Sequence, residues 1–240
     1  MTDLPYRTKV NRPHLRAFRV KVQQTDLLIQ AQRDLTTLAT TAVYEARRGL
    51  EQYIASHPEF VDALVPWPED PLAPPLVQEM IQAGQQAAVG PMAAVAGAIA
   101  QRVGRTLLGR SGEVIVENGG DIFLHLQAPA TVALYAGTSP LSLKIGLVIH
   151  PEMTPLGVCT SSGTIGHSLS FGRADAACVL ADDAAVADAA ATALGNRVRR
   201  EEDLAAALAW VAGLPDIRGA VIIYRDKLGA WGQIELQPVE

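Results

Sequence analysis

The sequence predicts a single domain of the α+β class, with antiparallel strands packed against helices. Three observations support this prediction. The chain has 240 residues, long enough for a sizeable core, and no change in composition marks a boundary between two independent domains. Short apolar segments separated by turn residues fill its middle part, and segments with helical spacing of apolar residues lie on either side of them. We therefore expect one domain over residues 1–240.

The amino-terminal part predicts a hairpin followed by a long helix, over about residues 16–57. Apolar and basic residues alternate from Phe18 to Val22, and a second apolar run follows at residues 27–29, which is typical of a β-hairpin. From Asp34 the apolar residues recur at helical spacing until Pro58, which cannot continue a helix.

A proline-rich segment separates this part from the next helices. Five prolines occur between Val65 and Pro75, and they exclude a helix or a central strand, so the segment is predicted to be a rigid crossing loop. Helical spacing resumes at Leu76, breaks at Gly90 and Pro91, and continues from residue 92 to residue 107.

The second half of the chain predicts a meander of antiparallel strands and two further helices. The strands are expected at residues 114–116, 122–124, 132–135 and 144–149, followed by a hydroxyl-rich loop at 160–166 and a strand at 176–180. An alanine-rich helix with an aspartate start and a Gly-Asn stop is expected from 182 to 196, then a helix at 201–212 and strands at 220–224 and 229–236.

Composition and charge narrow the class of partner. Twenty Lys and Arg against 25 Asp and Glu give a net charge of −5, which disfavours attraction to nucleic acid or to an anionic membrane. Two cysteines, Cys159 and Cys178, provide neither a disulfide framework nor metal-ligand spacing. The first residues contain no apolar signal region, and no apolar run is long enough to span a membrane. A cytoplasmic protein without nucleic-acid or membrane partners is predicted.

Two segments in the strand region could bind a ligand. Residues 117–121 read Glu-Asn-Gly-Gly-Asp between two apolar strands, which favours a hairpin turn but also allows backbone to approach a ligand beside an amide and a carboxylate. Residues 159–168 concentrate hydroxyls, glycines, a thiol and an imidazole, which suits either phosphate oxygens or a hydroxyl-rich turn. Within it, Cys159 could be a nucleophile with His167 as its base, or a small buried apolar residue.

Two helical segments offer further candidates. Asp188 and Thr192 are four residues apart on a predicted helix and therefore share a face, an arrangement that suits Mg²⁺ or, alternatively, a solvated surface. The segment from Gly90 to Gly97 opens a helix with small residues, and its unpaired amides could attract an anion. Close packing of small residues explains the same pattern.

The order of these segments resembles that of the ApbE-like superfamily, whose best-understood members are FAD:protein FMN transferases. The similarity is carried by residues 89–97, 116–122, 159–163 and 187–193, and for the transferases it is confined to a core region of about 89–196. The chain more closely resembles the short branch of that superfamily, for which residues 157–164 and 166–172 are distinctive, and this resemblance spans nearly the whole chain.

The resemblance implies a T-fold-like α+β architecture and a site for FAD or a related nucleotide with Mg²⁺. By position, it implies Asp188 and Thr192 as metal ligands. It implies the following cofactor-binding residues: Gly90, Met92, Asn118, Gly119, Gly120, Asp121, Thr160, Ser161, Ser162, Gly163 and Thr164. The His-x-x-Asp-Pro motif that follows the Ser-Gly loop of the transferases has no counterpart here, so the shared metal and nucleotide site is expected rather than FMN transfer to a protein.

Three hypotheses therefore remain open at the level of sequence. In the first, the chain binds a flavin or related nucleotide with Mg²⁺ and acts on its phosphoanhydride, where the metal would neutralise developing phosphate charge. In the second, it is a thiol enzyme or sulfur-handling protein that uses Cys159. In the third, it is a non-catalytic binding or assembly module that forms a homodimer through its Ala/Gly-rich helices.

Overall fold

An eight-stranded antiparallel sheet organises the fold. A computed structural model describes residue 12 and residues 14–163 and 172–239. The strands of this sheet, listed in their order across it, are β1 (Arg16–Val22), β2 (Thr25–Ala31), β3 (Val114–Asn118), β4 (Asp121–His125), β7 (Leu156–Ser161), β8 (Ala176–Ala181), β9 (Ile217–Tyr224) and β10 (Lys227–Gly232). A smaller antiparallel sheet contains β5 (Ala130–Ala133), β6 (Ile145–Ile149) and β11 (Leu236–Pro238), in the order β11-β6-β5.

Among the described residues, five α-helices form the layer on one face of the large sheet, and the small sheet covers the other. The helices are α1 (Thr36–Ser56), α2 (Pro75–Ala87), α3 (Val95–Leu108), α4 (Ala184–Asn196) and α5 (Asp203–Ala212). The apolar core is accordingly split into two clusters, one shared with the helices and one with the small sheet. Alternation along each strand assigns its side chains to one cluster or the other.

Strand β7 illustrates this alternation at a position that matters for the site. Cys159 belongs to the cluster beneath the helices, whereas Val158 belongs to the cluster beneath the small sheet. Thr160 lies directly opposite Cys178 of β8, which belongs to the small-sheet side. The helix side of β7 therefore presents Gly157, Cys159 and Ser161.

Helix α4 is the central helix of the helical layer. Its residues from Ala184 to Gly195 are all buried, because alanine and glycine allow close approach to the sheet and to neighbouring helices. The Asp183 carboxylate caps the helix by accepting hydrogen bonds from the amides of Ala185 and Val186. A Cβ on Gly157 would lie only 2.4 Å from Cα of Ala184, so strand and helix are in backbone contact.

The hairpin, the long first helix and the proline-rich crossing loop are confirmed by the structure. The meander is wrong, because β5 and β6 leave the large sheet and β4 pairs with β7 instead. The predicted loop at 160–166 begins too early, since Thr160 and Ser161 belong to β7. The last predicted strand is divided into β10 and β11, which belong to different sheets. Among the described residues, no helix combines the length and apolar character needed to cross a membrane.

Candidate functional site

A cavity of about 320 Å³ opens between the start of α3, the face of α4 that carries Asp188, Thr192 and Asn196, and the β3–β4 hairpin. Its polar lining consists of Asp121, Asp188, Thr192 and Asn196. The other residues that line the cavity are apolar residues and one glycine: Val61, Ala63, Leu64, Val89, Gly90, Met92, Ala93, Val95 and Ala96. This volume lies near the lower end of the range of about 300–1,000 Å³ found for small-molecule sites.

Asp188 and Thr192 lie one turn apart on α4, and both side chains reach this cavity. Each residue is only 8% exposed, so the alternative of a solvated helix face is wrong. Oδ2 of Asp188 accepts a 2.9 Å hydrogen bond from the amide of Gly97 in the first turn of α3. A Cβ on residue 97 would lie 2.1 Å from the carbonyl oxygen of Ala184, so only glycine allows the two helices to approach this closely.

The β3–β4 hairpin brings Asp121 into the same cavity. Gly119 and Gly120 form its two-residue turn with φ angles of +69° and +111°, a backbone that favours glycine, and the predicted hairpin is confirmed. Asn118 lies directly opposite Asp121 in the hairpin, and its Nδ2 donates a 3.1 Å hydrogen bond to the carbonyl oxygen of Ala96. The hairpin is thus attached to the start of α3.

The two aspartates form a buried pair of acidic groups. Burial raises the pKa of Asp188 to about 7. Burial and, next, the charge of Asp188 raise the pKa of Asp121 well above its ordinary value, opposed by hydrogen bonds from Cys159 and the amide of Thr160. Two carboxylates in one desolvated cavity disfavour each other's ionisation. A bound cation would relieve this repulsion.

Cys159 lies beneath the aspartates rather than in the cavity lining. It is fully buried, and its Sγ donates a hydrogen bond to the carbonyl oxygen of Ala184 at 3.3 Å. Burial, followed by the charges of Asp121 and Asp188, raises the pKa of the thiol well above its ordinary value. This environment favours a protonated thiol bonded to the Ala184 carbonyl, whereas a nucleophile requires a thiolate. His167, its proposed base, lies outside the described residues, so the pairing stays a prediction.

The hydroxyl-rich segment contributes less than its composition suggests. The side chain of Thr160 hydrogen-bonds Cys178 on the small-sheet side, so only its backbone faces Asp121. Ser161 lies on the helix side, where its Oγ is buried and has no hydrogen-bond partner among the described residues. The amide of Gly163 bonds the carbonyl of Ala174. Neither Ser162 nor these three residues line the cavity, and Thr164 lies outside the described residues.

The structure also brings in a wall that sequence reasoning did not assign to the site. We call residues 58–74, which join α1 to α2, the strap; it supplies Val61, Ala63 and Leu64 to the cavity. A Cβ on Gly90 would lie 1.6 Å from the carbonyl oxygen of Ala63, so glycine is required here by the strap itself. The prolines predict a rigid crossing loop, but nothing in their pattern indicates which surface it crosses.

The antiparallel sheet and the helical layer define an α+β protein, and its fold is that of the ApbE-like class. Solved structures support this: the flavin transferase ApbE from Vibrio cholerae superposes with a TM-score of 0.59 at 13% identity, covering 90% of this chain and 96% of that one. The flavinyl transferase ApbE from Pseudomonas stutzeri gives a TM-score of 0.57 at 13% identity, covering 94% and 95%. At these identities the likeness shows the fold.

The family model described as AbpE bacteria matches residues 8–214, and the chain belongs to this family. Among its relatives, a UPF0280 protein of Methanosarcina barkeri is 44% identical over 198 residues, which cover 82% of this chain and 78% of that protein. A UPF0280 protein of Methanocella arvoryzae is 41% identical over 215 residues, covering 89% and 87%. The predicted membership of the short branch of the ApbE-like superfamily is confirmed.

Proposed function

We propose that the chain binds FAD or a related nucleotide together with Mg²⁺ in this cavity, and acts on the phosphoanhydride of the bound nucleotide. The observation that carries the proposal is the meeting of Asp188, Thr192 and Asp121 at one cavity, from a helix and a hairpin that are far apart in sequence. The ApbE-like fold, which two flavin transferases share, supports a flavin as the nucleotide.

The donor set fits Mg²⁺. Carboxylate and hydroxyl oxygens are the hard ligands that this ion takes, and it usually keeps water or phosphate oxygens in its other positions. Asp188 and Thr192 would hold the ion, with Asp121 beside them. The ion would supply charge neutralisation for the phosphates. The Gly97 amide holds Oδ2 of Asp188, which orients the carboxylate before any ligand binds.

The other residues of the site bind and orient. Asn118 fixes the first turn of α3 through the Ala96 carbonyl, and the Gly119–Gly120 turn leaves open space where a side chain would stand. A Cβ at Gly119 would have no neighbour within 4 Å among the described residues. Backbone at this turn can therefore lie against a ligand without obstruction.

Equilibrium binding of FAD, followed by flavin fluorescence with Mg²⁺ and with excess EDTA, tests the proposal. We expect Mg²⁺-dependent binding by the wild type and its loss in Asp188→Asn, which keeps the size of the side chain. Asp226→Ala, which changes an aspartate at the β9–β10 turn outside the cavity lining, is the matched control. Wild-type protein that binds neither FAD nor ADP with Mg²⁺, or Asp188→Asn protein that binds like the wild type, would overturn the assignment.

The third hypothesis, a non-catalytic binding or assembly module, also stays a prediction. A homodimer through Ala/Gly-rich helices cannot use α4, because every residue from Ala184 to Gly195 is buried within the chain. The cavity with its paired aspartates favours ligand binding over assembly alone.

A further inference from the structure

The strap is held in place by an aromatic cluster on its inner side. The Phe60 side chain is fully buried, with ring centroids 5.1 Å from Tyr53 and 5.3 Å from Trp67. The Tyr53 hydroxyl donates a 3.0 Å hydrogen bond to Asp70 and accepts one of 3.3 Å from Nε1 of Trp67. Gln85 of α2 adds a 2.9 Å bond to the carbonyl of Trp67. The strap is therefore a fixed wall of the cavity.

This wall presents apolar side chains that the other described residues leave partly exposed. Val61 is 42% exposed and Leu64 is 54% exposed, although both line the cavity that contains the aspartates. Exposed apolar surface beside a concave polar site gains free energy when an apolar group of a ligand covers it. The polar and apolar linings thus fit one ligand with two ends, a charged end at the aspartates and a ring at the strap.

The chemistry of the wall limits how it can recognise a ring. The larger apolar lining side chains (Val61, Leu64, Val89, Met92 and Val95) carry no nitrogen or oxygen. They can therefore contact the face of a ring but cannot read the hydrogen-bonding groups on its edge.

We infer that Val61 and Leu64 are specificity-determining residues that select the nucleotide by the apolar area of its ring, and not by the donors and acceptors on the ring edge. This inference rests on the proposed function, because it assumes that the phosphates lie at Asp188. Affinity then increases from a bare diphosphate to a pyrimidine and to a purine nucleotide, and Val61 and Leu64 do not distinguish two purines that differ only at the edge.

Calorimetric titration of the full chain with Mg²⁺ and four ligands tests this: inorganic pyrophosphate, CDP, ADP and IDP. For the wild type we expect ADP to bind more tightly than CDP, and CDP more tightly than pyrophosphate, and we expect Leu64→Ala to leave the ratio of ADP to IDP affinity unchanged within about twofold. Leu64→Ala should weaken ADP binding by about tenfold, because roughly half of a leucine side chain is left to be covered. The same variant should leave pyrophosphate binding unchanged.

Two further variants keep the test decisive. Val61→Ala should show a similar but smaller loss for ADP, while Leu72→Ala, which changes a strap residue that is 95% exposed and does not line the cavity, should match the wild type. Equal affinities for ADP and pyrophosphate, a ratio of ADP to IDP affinity that Leu64→Ala changes tenfold, or ADP binding unaffected by Leu64→Ala would each overturn the inference. If one of these results is found while pyrophosphate binding still depends on Asp188, the inference about the strap fails but the proposed metal site is retained. If no ligand, FAD included, binds in an Mg²⁺-dependent manner, both the inference and the proposed function are overturned.

Discussion

Oδ2 of Asp188 accepts a hydrogen bond from the amide of Gly97 at 2.9 Å, and this bond joins the central helix α4 to the first turn of α3 at the edge of the cavity. The amide belongs to the amino-terminal turn of a helix, where backbone N–H groups have no partner within the helix and favour negative charge. The same contact thus satisfies the helix start and orients the carboxylate.

Substitution of Gly97 by alanine should disturb both roles. The new Cβ would lie 2.1 Å from the Ala184 carbonyl oxygen and 2.9 Å from Cβ of Asp188, so α3 and α4 must separate. We expect the free energy of unfolding to fall by about 1–3 kcal/mol, as for other overpacked interiors, with weaker Mg²⁺-dependent FAD binding. Gly109→Ala at the other end of α3, where the nearest atom is 3.6 Å away, is the control in urea unfolding. Equal effects of the two substitutions would contradict the close helix contact.

Asn118→Ala should affect ligand binding more than stability. Loss of the hydrogen bond from Nδ2 to the Ala96 carbonyl should lower the free energy of unfolding by about 1 kcal/mol. Because this bond attaches the hairpin to the helix start that orients Asp188, the Mg²⁺ concentration for half-maximal FAD binding should rise several-fold. Titration of Mg²⁺ at fixed FAD measures this. An unchanged Mg²⁺ requirement would show that the hairpin attachment is structural only.

The metal-free protein should lose stability as the pH rises. The pKa of Asp188 is about 7 in the folded chain against an ordinary value of 3.8, so the folded state holds the proton more tightly than the unfolded state. The free energy of unfolding should therefore fall as the pH rises from about 4 towards 7, and the raised pKa of Asp121 should extend this fall to higher pH.

Urea unfolding in EDTA at pH 5 and pH 8 checks this expectation. Asp188→Asn should show a smaller loss between these pH values, and Mg²⁺ at pH 8 should restore stability to the wild type but not to the variant. An equal change in the stability of the wild type and of the variant between pH 5 and pH 8 would contradict the buried acidic pair.

Cys159 should resist alkylation in the folded chain. Burial raises the pKa of its thiol well above the ordinary value and that of Cys178 to about 12, so little thiolate exists at pH 8. Treatment with iodoacetamide, read by mass spectrometry, should leave both cysteines unmodified until urea is added. Rapid modification of native Cys159 would instead support the thiol enzyme, and Cys159→Ala would then abolish that activity.

Helical spacing was enough to predict that Asp188 and Thr192 share a face, and the Gly-Gly turn was enough to predict the hairpin that carries Asp121. Neither pattern indicates burial: the alanines that flank Asp188 are equally compatible with a surface helix and with one packed against a sheet. The structure resolves this through α4, which is covered by β7, α2 and α3.

Long-range pairing accounts for what the sequence could not predict. The apolar pattern of β5 and β6 is the same whether they join the large sheet or form another, so the meander was the simpler expectation. The orientation of Thr160 depends on the register of β7, which is set by its partners β4 and β8. The ring contacts of Phe60 with Tyr53 and Trp67 hold the strap at the cavity, and no local sequence pattern indicates that the strap lies against the cavity.

The small sheet lies on the face of the large sheet opposite the cavity, and β11 pairs with β6 to complete it. The two faces share a backbone but have separate side chains, since successive residues of a strand point to opposite sides. Substitutions beneath the helices and the strap therefore leave the side chains of the small-sheet cluster in place, and substitutions that alter ligand preference without disturbing that cluster are expected on the cavity face.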